Sequence, residues 1–419
     1  MQNNKLLLIS LRDSFLDSDR IMPPLGIMSL HSYMIENSID STIENNFDFG
    51  NIEKYSDYTH FGISCMTPES QQAYKLVNLI KKKWPRKKVI IGGPHAKFYT
   101  KDCLDKNFDY IVIDDGEKAL LKIMSNETNE RVIHDFISEE ELNLFPLPYR
   151  EYTFLNQYNY DIQGLNASTI LTAKGCYFSC AFCEDAQTKV RLYSPEIVAK
   201  QIDQIKTAGY KAIMFFDDVF AISIKRIKDL SKEILKKDIY YRCFGHAKTM
   251  TEEMVKYLSG SGCIETGFGA ESGSQKILDN IDKKVMVEQN YKYVELCNHY
   301  GIKVKAFVML GLPGENKETI KETSNFLNFL VSNKFKNFSG RDITNDFDLV
   351  IFFPYQGTKI KDNLPKYDLF LDNSSSHYGI YKGKNGYSEA IVRTVGLSSE
   401  ELSSIKNQLY LEYKKRVLN

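Results

Sequence analysis

The sequence predicts an α/β protein in two parts, a doubly wound Rossmann-like domain followed by a partial (β/α)6 barrel, with a small α-rich extension at the carboxyl end. Three observations lead there. Short β-branched runs alternate with amphipathic helical patterns, the mark of parallel sheets covered by helices. The alternation is interrupted once, between about residues 125 and 165, where no period persists. The 419 residues also exceed what one small domain needs, at roughly 150 residues per domain.

In chain order, Lys5–Ser10 reads as a strand, Leu25–Glu36 as a helix and Phe61–Ser64 as a strand. Ser70–Lys83 reads as a helix with Leu76, Leu79 and Ile80 on its apolar face. Val89–Ile91 is a strand ending in Gly92 and Gly93, Tyr110–Ile113 is another, and a helix begins near Glu117. These elements fill a domain over residues 1–125, whose ligands belong at the carboxyl ends of its strands. Residues 126–165, with Pro146, Pro148 and scattered Tyr and Asn, read as a linker.

A second alternating series occupies residues 166–360. Ser168–Thr172 opens it as a strand. The next helix has Ser194 as its N-cap, Pro195 at its first position, an apolar face of Ile197, Val198, Ile202 and Ile205, and Gly209 as its stop. Strands follow at Ala212–Phe216, Tyr240–Gly245, Ile264–Gly269, Lys303–Leu310 and Asp348–Phe353, with helices near 223–236, 250–259, 287–300 and 317–332. Six βα units in about 190 residues make an unclosed barrel, since a complete eightfold one takes roughly 250. Residues 361–419 carry one helical pattern, Glu400–Arg416; the tail near Tyr378–Tyr387 is expected to help define a substrate.

Lys plus Arg and Asp plus Glu each total 54, so no whole-protein field draws nucleic acid or an anionic membrane. The basic run Lys81, Lys82, Lys83, Arg86, Lys87 and Lys88 reads as a solvated face. Neither a secretory signal nor an apolar run of ~18 residues is evident, so a cytoplasmic location is expected. The eight cysteines are too few for a disulfide scaffold. Three of them, Cys176, Cys180 and Cys183, crowd into one loop after the strand at Ser168–Thr172.

Thiolates spaced C-x3-C-x2-C can converge on one centre, and soft sulfur donors select zinc or iron–sulfur clusters. A structural zinc site wants a fourth ligand, and no Cys or His follows within the next fifty residues. The sequence Thr172–Cys183 resembles the cluster loop of the radical S-adenosylmethionine (radical SAM) superfamily. The resemblance implies a 4Fe-4S cluster held by the three cysteines, whose open iron chelates SAM, and a 5′-deoxyadenosyl radical formed by one-electron cleavage. Phe182 stands where that family carries an aromatic residue before the last cysteine.

Further segments resemble the same family in order. Phe215-Phe216-Asp217-Asp218 ends the second barrel strand, where relatives meet the SAM amino group. Gly267–Ser274 is similar to the family's G-x-E-S-G-S segment, which implies SAM contacts from Glu271 and Ser272. Phe307–Glu315 resembles the segment whose backbone, near Leu310, contacts adenine, and Phe353–Thr358 resembles the P-x-x-G-T turn. His246 falls where relatives often carry an arginine; it is expected to bind SAM and to titrate near neutrality.

The first domain is similar to the cobalamin-binding-like domain that precedes many radical SAM barrels, on Pro23–Gly26, Gly62–Thr67, Gly92–Ala96 and Gly116–Glu117. The resemblance implies cobalamin contacts from Leu25, Ser64, Thr67, Gly92, Gly93, His95 and Glu117. No D-x-H-x-x-G occurs, so the usual histidine ligand to cobalt is missing. The implied enzyme is a cobalamin-dependent methyltransferase acting on an unactivated carbon, or on phosphorus, of a small-molecule substrate, fed by a flavodoxin- or ferredoxin-like electron donor. The alternative is a radical rearrangement, cyclisation or oxidation without methyl transfer. A non-catalytic regulator and an RNA-modifying methylthiotransferase are disfavoured, having neither a nucleic-acid-binding module nor a second cysteine cluster.

Overall fold

The computed structural model describes residues 4–11, 20–372 and 389–418, and the chain divides into two compact units, Met1–Tyr158 and Asn159–Asn419. The first unit is a six-stranded parallel sheet of β1 (Lys5–Ser10), β2 (Asp40–Glu44), β3 (His60–Ser64), β4 (Lys88–Gly92), β5 (Tyr110–Asp114) and β6 (Val132–Asp135), in the order β2-β1-β3-β4-β5-β6.

Strand β1 shows why the sheet is covered on both faces. Leu7 and Ile9 enter one core, with Phe61, Ile63, Leu76 and Ile80. Leu6 and Leu8 enter the other, with Ile27, Met34, Leu120 and Ile123. Successive side chains point to opposite faces, so an unbroken apolar run is what two-sided burial requires, at about 1.5–3 kcal/mol per large side chain. The basic run is partnered within the unit: Lys81 pairs with Asp109, and Lys87 lies over the Trp84 ring.

The stretch expected as a linker is structured. It supplies β6, a helix at Glu139–Leu144 started by the Ser138 capping box, and a short helix at Tyr152–Leu155, and it belongs to the first unit as far as Tyr158. Elements of four or five residues are too short to establish a period, which is why β2 and β6 escape a reading by pattern.

The second unit is a seven-stranded sheet. It begins with β7 (Tyr160–Ile162) and β8 (Leu165–Ile170), followed by a small hairpin of β9 (Ala173–Lys174) and β10 (Arg191–Leu192). Strands β11 (Ala212–Phe215), β12 (Tyr240–Gly245), β13 (Cys263–Glu271), β14 (Lys303–Leu310), the hairpin β15 (Lys334–Lys336) and β16 (Asp342–Thr344), and β17 (Asp346–Ile351) come next. The sheet order is β17-β14-β13-β12-β11-β8-β7; the six strands from β8 to β17 are parallel, and β7 adds an antiparallel edge. This is the unclosed six-unit barrel. On β14 burial alternates strictly, with Val304, Ala306, Val308 and Leu310 buried and Lys305, Phe307 and Met309 half-buried between them.

After β17, a two-stranded ribbon of β18 (Leu369–Leu371) and β19 (Val392–Thr394) and a helix at Ser399–Leu418 complete the unit. Tyr378–Tyr387 lie outside the described residues. No helix among the described residues is long and apolar enough to cross a membrane.

Candidate active site

The three-cysteine loop leaves the carboxyl end of β8 and is pinned on several sides. Gly175 takes a left-handed backbone (φ +91°), and a Cβ there would collide with the carbonyl of Lys189. The Thr188 hydroxyl accepts the Cys176 N–H at 2.9 Å. The Ala181 N–H donates to the Ile281 carbonyl at 2.8 Å, and the Ala181 carbonyl accepts from Ile360 at 3.1 Å. Cys180 packs with Phe178 and Val219, with Cys176, Phe182 and Cys183 against them.

Burial raises all three thiols above their ordinary range, Cys183 to about 12. Thiols so placed ionise when a metal supplies the compensating charge. Among the described residues no three metal-donor side chains meet as a single ion would need. A cubane asks something different, because each thiolate binds its own iron. The cysteine loop fits such a cluster in donor chemistry and in its apolar surroundings.

Asp217 sits at the end of β11, almost wholly buried, and its carboxylate accepts the Thr172 N–H at 2.6 Å, the Ala173 N–H at 3.2 Å and the Thr172 hydroxyl. Its work is to fix the start of the cysteine loop. Burial pushes its carboxyl up to about 6, and those hydrogen bonds hold it back from going higher. Asp218 keeps a solvent-exposed edge, yet protein crowds the carboxylate; burial first and the charge of Asp185 second raise it to about 6.

His246, after β12, stacks on Phe178 of the cysteine loop with ring centroids 3.6 Å apart and planes 10° apart. Its Nδ1 accepts the Lys248 N–H at 3.2 Å, so the neutral ring carries its proton on Nε2, a buried donor with no partner among the described residues. The expectation that this ring titrates near neutrality is corrected: burial, reinforced by Lys283 and Lys248, drives its pKa down to about 2. An orphaned N–H beside the cluster loop suits the carboxylate of a bound amino-acid group. It offers a hydrogen bond where an arginine would offer a charge.

Glu271 lies at a bulge in β13, where the register to β14 shifts between Gly269 and Glu271, and its own backbone is left-handed (φ +60°). Asn290 supports the bulge by donating to the Ala270 carbonyl at 3.1 Å. The Glu271 carboxylate accepts from Lys283 Nζ at 2.8 Å, with both side chains buried. A Cβ on Gly269 would strike the Glu271 carboxylate and come within 2.9 Å of Lys283 Nζ. Glycine is there because the ion pair takes its space. Removing one partner of such a buried pair costs about 3–5 kcal/mol.

Lys283 is the site residue that sequence reasoning misses, since Asp282-Lys283-Lys284 looks like an ordinary polar turn. Its neighbours Asp282 and Lys284 are both left-handed (φ +55° and +56°), conformations that cost about 1 kcal/mol or more each and turn Lys283 inward.

The remaining expected positions serve the framework. The Ser272 hydroxyl pairs with Thr323 at 2.9 Å and accepts the Ser274 N–H, Leu310 is buried, and its carbonyl accepts from Phe352 at 2.7 Å. Phe182 lies half-buried, with Lys283 Nζ 5.8 Å from its ring centroid.

In the first unit, Ser10, Ser64 and Gly92 lie in register across β1, β3 and β4 at their carboxyl ends. Small half-buried residues there make a flat surface able to receive a broad planar group, with Gly93 continuing the chain at φ +89°. Beside it opens a cleft of about 580 Å³ lined by Ser10, Leu11, Asn46, Asp48 and Gln72 among others. Leu25 starts its helix half-buried. His95 is buried with Nε2 2.7 Å from the Tyr74 hydroxyl and Nδ1 3.4 Å from Thr67, so both are knit into the domain. The Glu117 carboxylate accepts the Gly116 N–H at 3.1 Å.

The family model of the radical SAM superfamily matches residues 170–327, the stretch that holds the three-cysteine loop and most of the half-barrel, so the chain carries a radical SAM domain. A B12 binding domain precedes it over residues 17–123. The chain is 24% identical over 421 residues to the uncharacterized methyltransferase PH0819 of Pyrococcus horikoshii, covering 93% of this chain and 87% of that one. It is 23% identical over 173 residues to the tryptophan 2-C-methyltransferase of Streptomyces laurentii, 37% of this chain and 29% of the relative. In fold it is similar to the radical SAM methyltransferase TsrM of Kitasatospora setae, with cobalamin and a 4Fe-4S cluster bound (TM-score 0.70, 15% identity, 96% of this chain and 85% of the other). It is also similar to the cobalamin-dependent SAM radical enzyme OxsB with aqua-cobalamin and SAM bound (TM-score 0.67, 18% identity, 99% and 62%).

Proposed function

We propose that this protein is a cobalamin-dependent radical SAM methyltransferase acting on an unactivated carbon or phosphorus centre of a small molecule. The observation that carries the reading is the presence, in one chain similar over nearly its whole length to PH0819, of a flat carboxyl-edge surface in a B12 binding domain and a pinned three-cysteine loop in a radical SAM domain. When bound, the cluster, SAM and cobalamin supply one-electron cleavage and methyl carriage.

The chain's residues bind and orient. Cys176, Cys180 and Cys183 hold the cluster; His246 Nε2–H and Glu271 face the amino-acid portion of SAM; Ser64, Gly92 and Gly93 leave room for the corrin. Asp217 and Lys283 keep the loop and Glu271 in place. The buried apolar packing around Phe178 and Val219 keeps water from the cluster. The electron comes from an external flavodoxin- or ferredoxin-like donor.

Incubating anaerobically reconstituted protein with SAM, a reductant and candidate acceptors tests this. Methylated product with S-adenosylhomocysteine is expected; 5′-deoxyadenosine with an unmethylated, altered product would replace the reading by the second one. That second reading, radical cyclisation or oxidation, draws on a specific relative: the anaerobic magnesium-protoporphyrin IX monomethyl ester cyclase of Rubrivivax gelatinosus is 23% identical over 292 residues, 62% of this chain and 52% of the cyclase.

A further inference from the structure

Lys283 buries a full charge, which a neutral side chain at that position would not. It is an ammonium group withdrawn from water, held by one carboxylate oxygen at 2.8 Å. Burial alone would drive its proton off; Glu271 and Cys180 outweigh that and hold its pKa above the ordinary lysine value. The turn that carries it is tied to the cysteine loop by more than one bond. The Ile281 carbonyl accepts from Ala181, Asp282 is hydrogen-bonded by Ser179, and Lys359 reaches both the Ser179 carbonyl (3.4 Å) and Asp282 (3.7 Å). Two left-handed residues flank it, and Gly269 is kept clear for the pair. A strained turn, a vacated Cβ position and stitching to the loop all serve to bring one positive charge beside Cys180 and Cys183.

We propose that Lys283 is the fixed cation of this site: a positioning residue that holds Glu271 for SAM and whose charge favours the one-electron-reduced cluster. This rests on the reading of the three cysteines as a cluster site. A 4Fe-4S core with three thiolates is an anion, and accepting one electron from a low-potential donor adds a further negative charge. A nearby buried cation stabilises the reduced form, since net charge and burial set cluster potentials. Glu271 is the weaker counterweight, because at Cys180 the Lys283 charge acts more strongly than the Glu271 charge. With His246 neutral, Lys283 supplies the positive charge that the missing arginine does not.

The test uses full-length protein, anaerobically reconstituted, as wild type, Lys283→Met, Lys283→Arg and Glu271→Gln. Cluster content is read from iron and visible absorbance, the midpoint from an EPR-monitored redox titration without SAM, and SAM affinity by equilibrium binding. Lys283→Met should load its cluster, yet be at least tenfold harder to reduce, a shift of about 59 mV for a one-electron couple, and bind SAM at least tenfold more weakly. Lys283→Arg should restore both, and Glu271→Gln should move the midpoint the opposite way. A loaded Lys283→Met with unchanged midpoint and SAM affinity overturns the proposal. If Lys283→Met does not load, Lys283→Arg decides: loading at the wild-type midpoint sustains the charge role, and failure to load overturns it in favour of folding alone. A wild type that takes up no cluster sinks the reading of the cysteines instead, a result distinct from any of these.

Discussion

The two carboxyl edges of this molecule are built on opposite plans. In the first unit the edge is plain: Ser10, Ser64 and Gly92 in register, with neighbouring polar side chains such as His95 and Glu117 committed to bonds within the domain. In the second the edge is charged and strained: a buried ion pair, an orphaned imidazole N–H and left-handed residues at Glu271, Asp282 and Lys284. The difference teaches how each site captures its guest. A large planar cofactor is held by area and shape, so the protein's part is to stay out of the way. A cluster and an amino-acid group are held by ligation and charge, so the protein must bury charged groups and keep backbone strain in place to aim them.

The strongest way to break the comparison is at the cysteines. Replacing Cys176, Cys180 or Cys183 by Ala is expected to abolish the iron–sulfur absorbance and SAM cleavage together while leaving cobalamin uptake unchanged. A fully active single variant would remove the cluster from the account.

Next in size, Gly269→Ala should push Glu271 off Lys283, because the added Cβ takes their space. Cluster loading should survive and SAM affinity fall at least tenfold, measured by equilibrium dialysis. Gly92→Val probes the other edge. Its Cβ meets only ordinary contacts, 3.7–3.8 Å from Val112, so the fold should hold. Cobalamin retention through gel filtration should drop severalfold with SAM cleavage intact; full retention would mean that the corrin does not lie on that row.

The smallest expected effect sharpens the role of the loop after β14. Glu315 is buried and accepts the Gly311 N–H, and burial raises its carboxyl to about 8. A folded pKa raised above the unfolded one gives stability that is full below about 4.5 and lost as pH climbs through about 8. Wild-type denaturation midpoints should therefore fall between pH 5 and 8 relative to Glu315→Gln, whose neutral amide leaves nothing there to titrate. Parallel pH profiles would remove Glu315 from that slope.

Much of this was legible in the sequence, and unevenly. The cysteine spacing is chemically narrow, and the long periodic elements, such as the helices at Ser70–Lys83 and Lys317–Ser332, fall where the pattern places them. Strands β2 and β6 were not legible, because four or five residues in a polar stretch show no period. Lys283 was not either: a lysine in a turn is normally solvated, and only the bulge at Glu271 and the left-handed neighbours bring it inside. His246 follows a strand that the pattern predicts, but its charge state depends on burial against Phe178 and on Lys283, both far away in sequence, as well as on Lys248 two residues on.

The central claim, that one chain houses two dissimilar cofactor sites, is tested most directly by anaerobic reconstitution with iron, sulfide and hydroxocobalamin, followed by desalting, a visible spectrum, and incubation with SAM and dithionite. The account predicts cobalamin retained in stoichiometric amount together with a cluster that yields 5′-deoxyadenosine. A cluster that cleaves SAM while all cobalamin washes away would contradict it, leaving the first unit a fold without its cofactor.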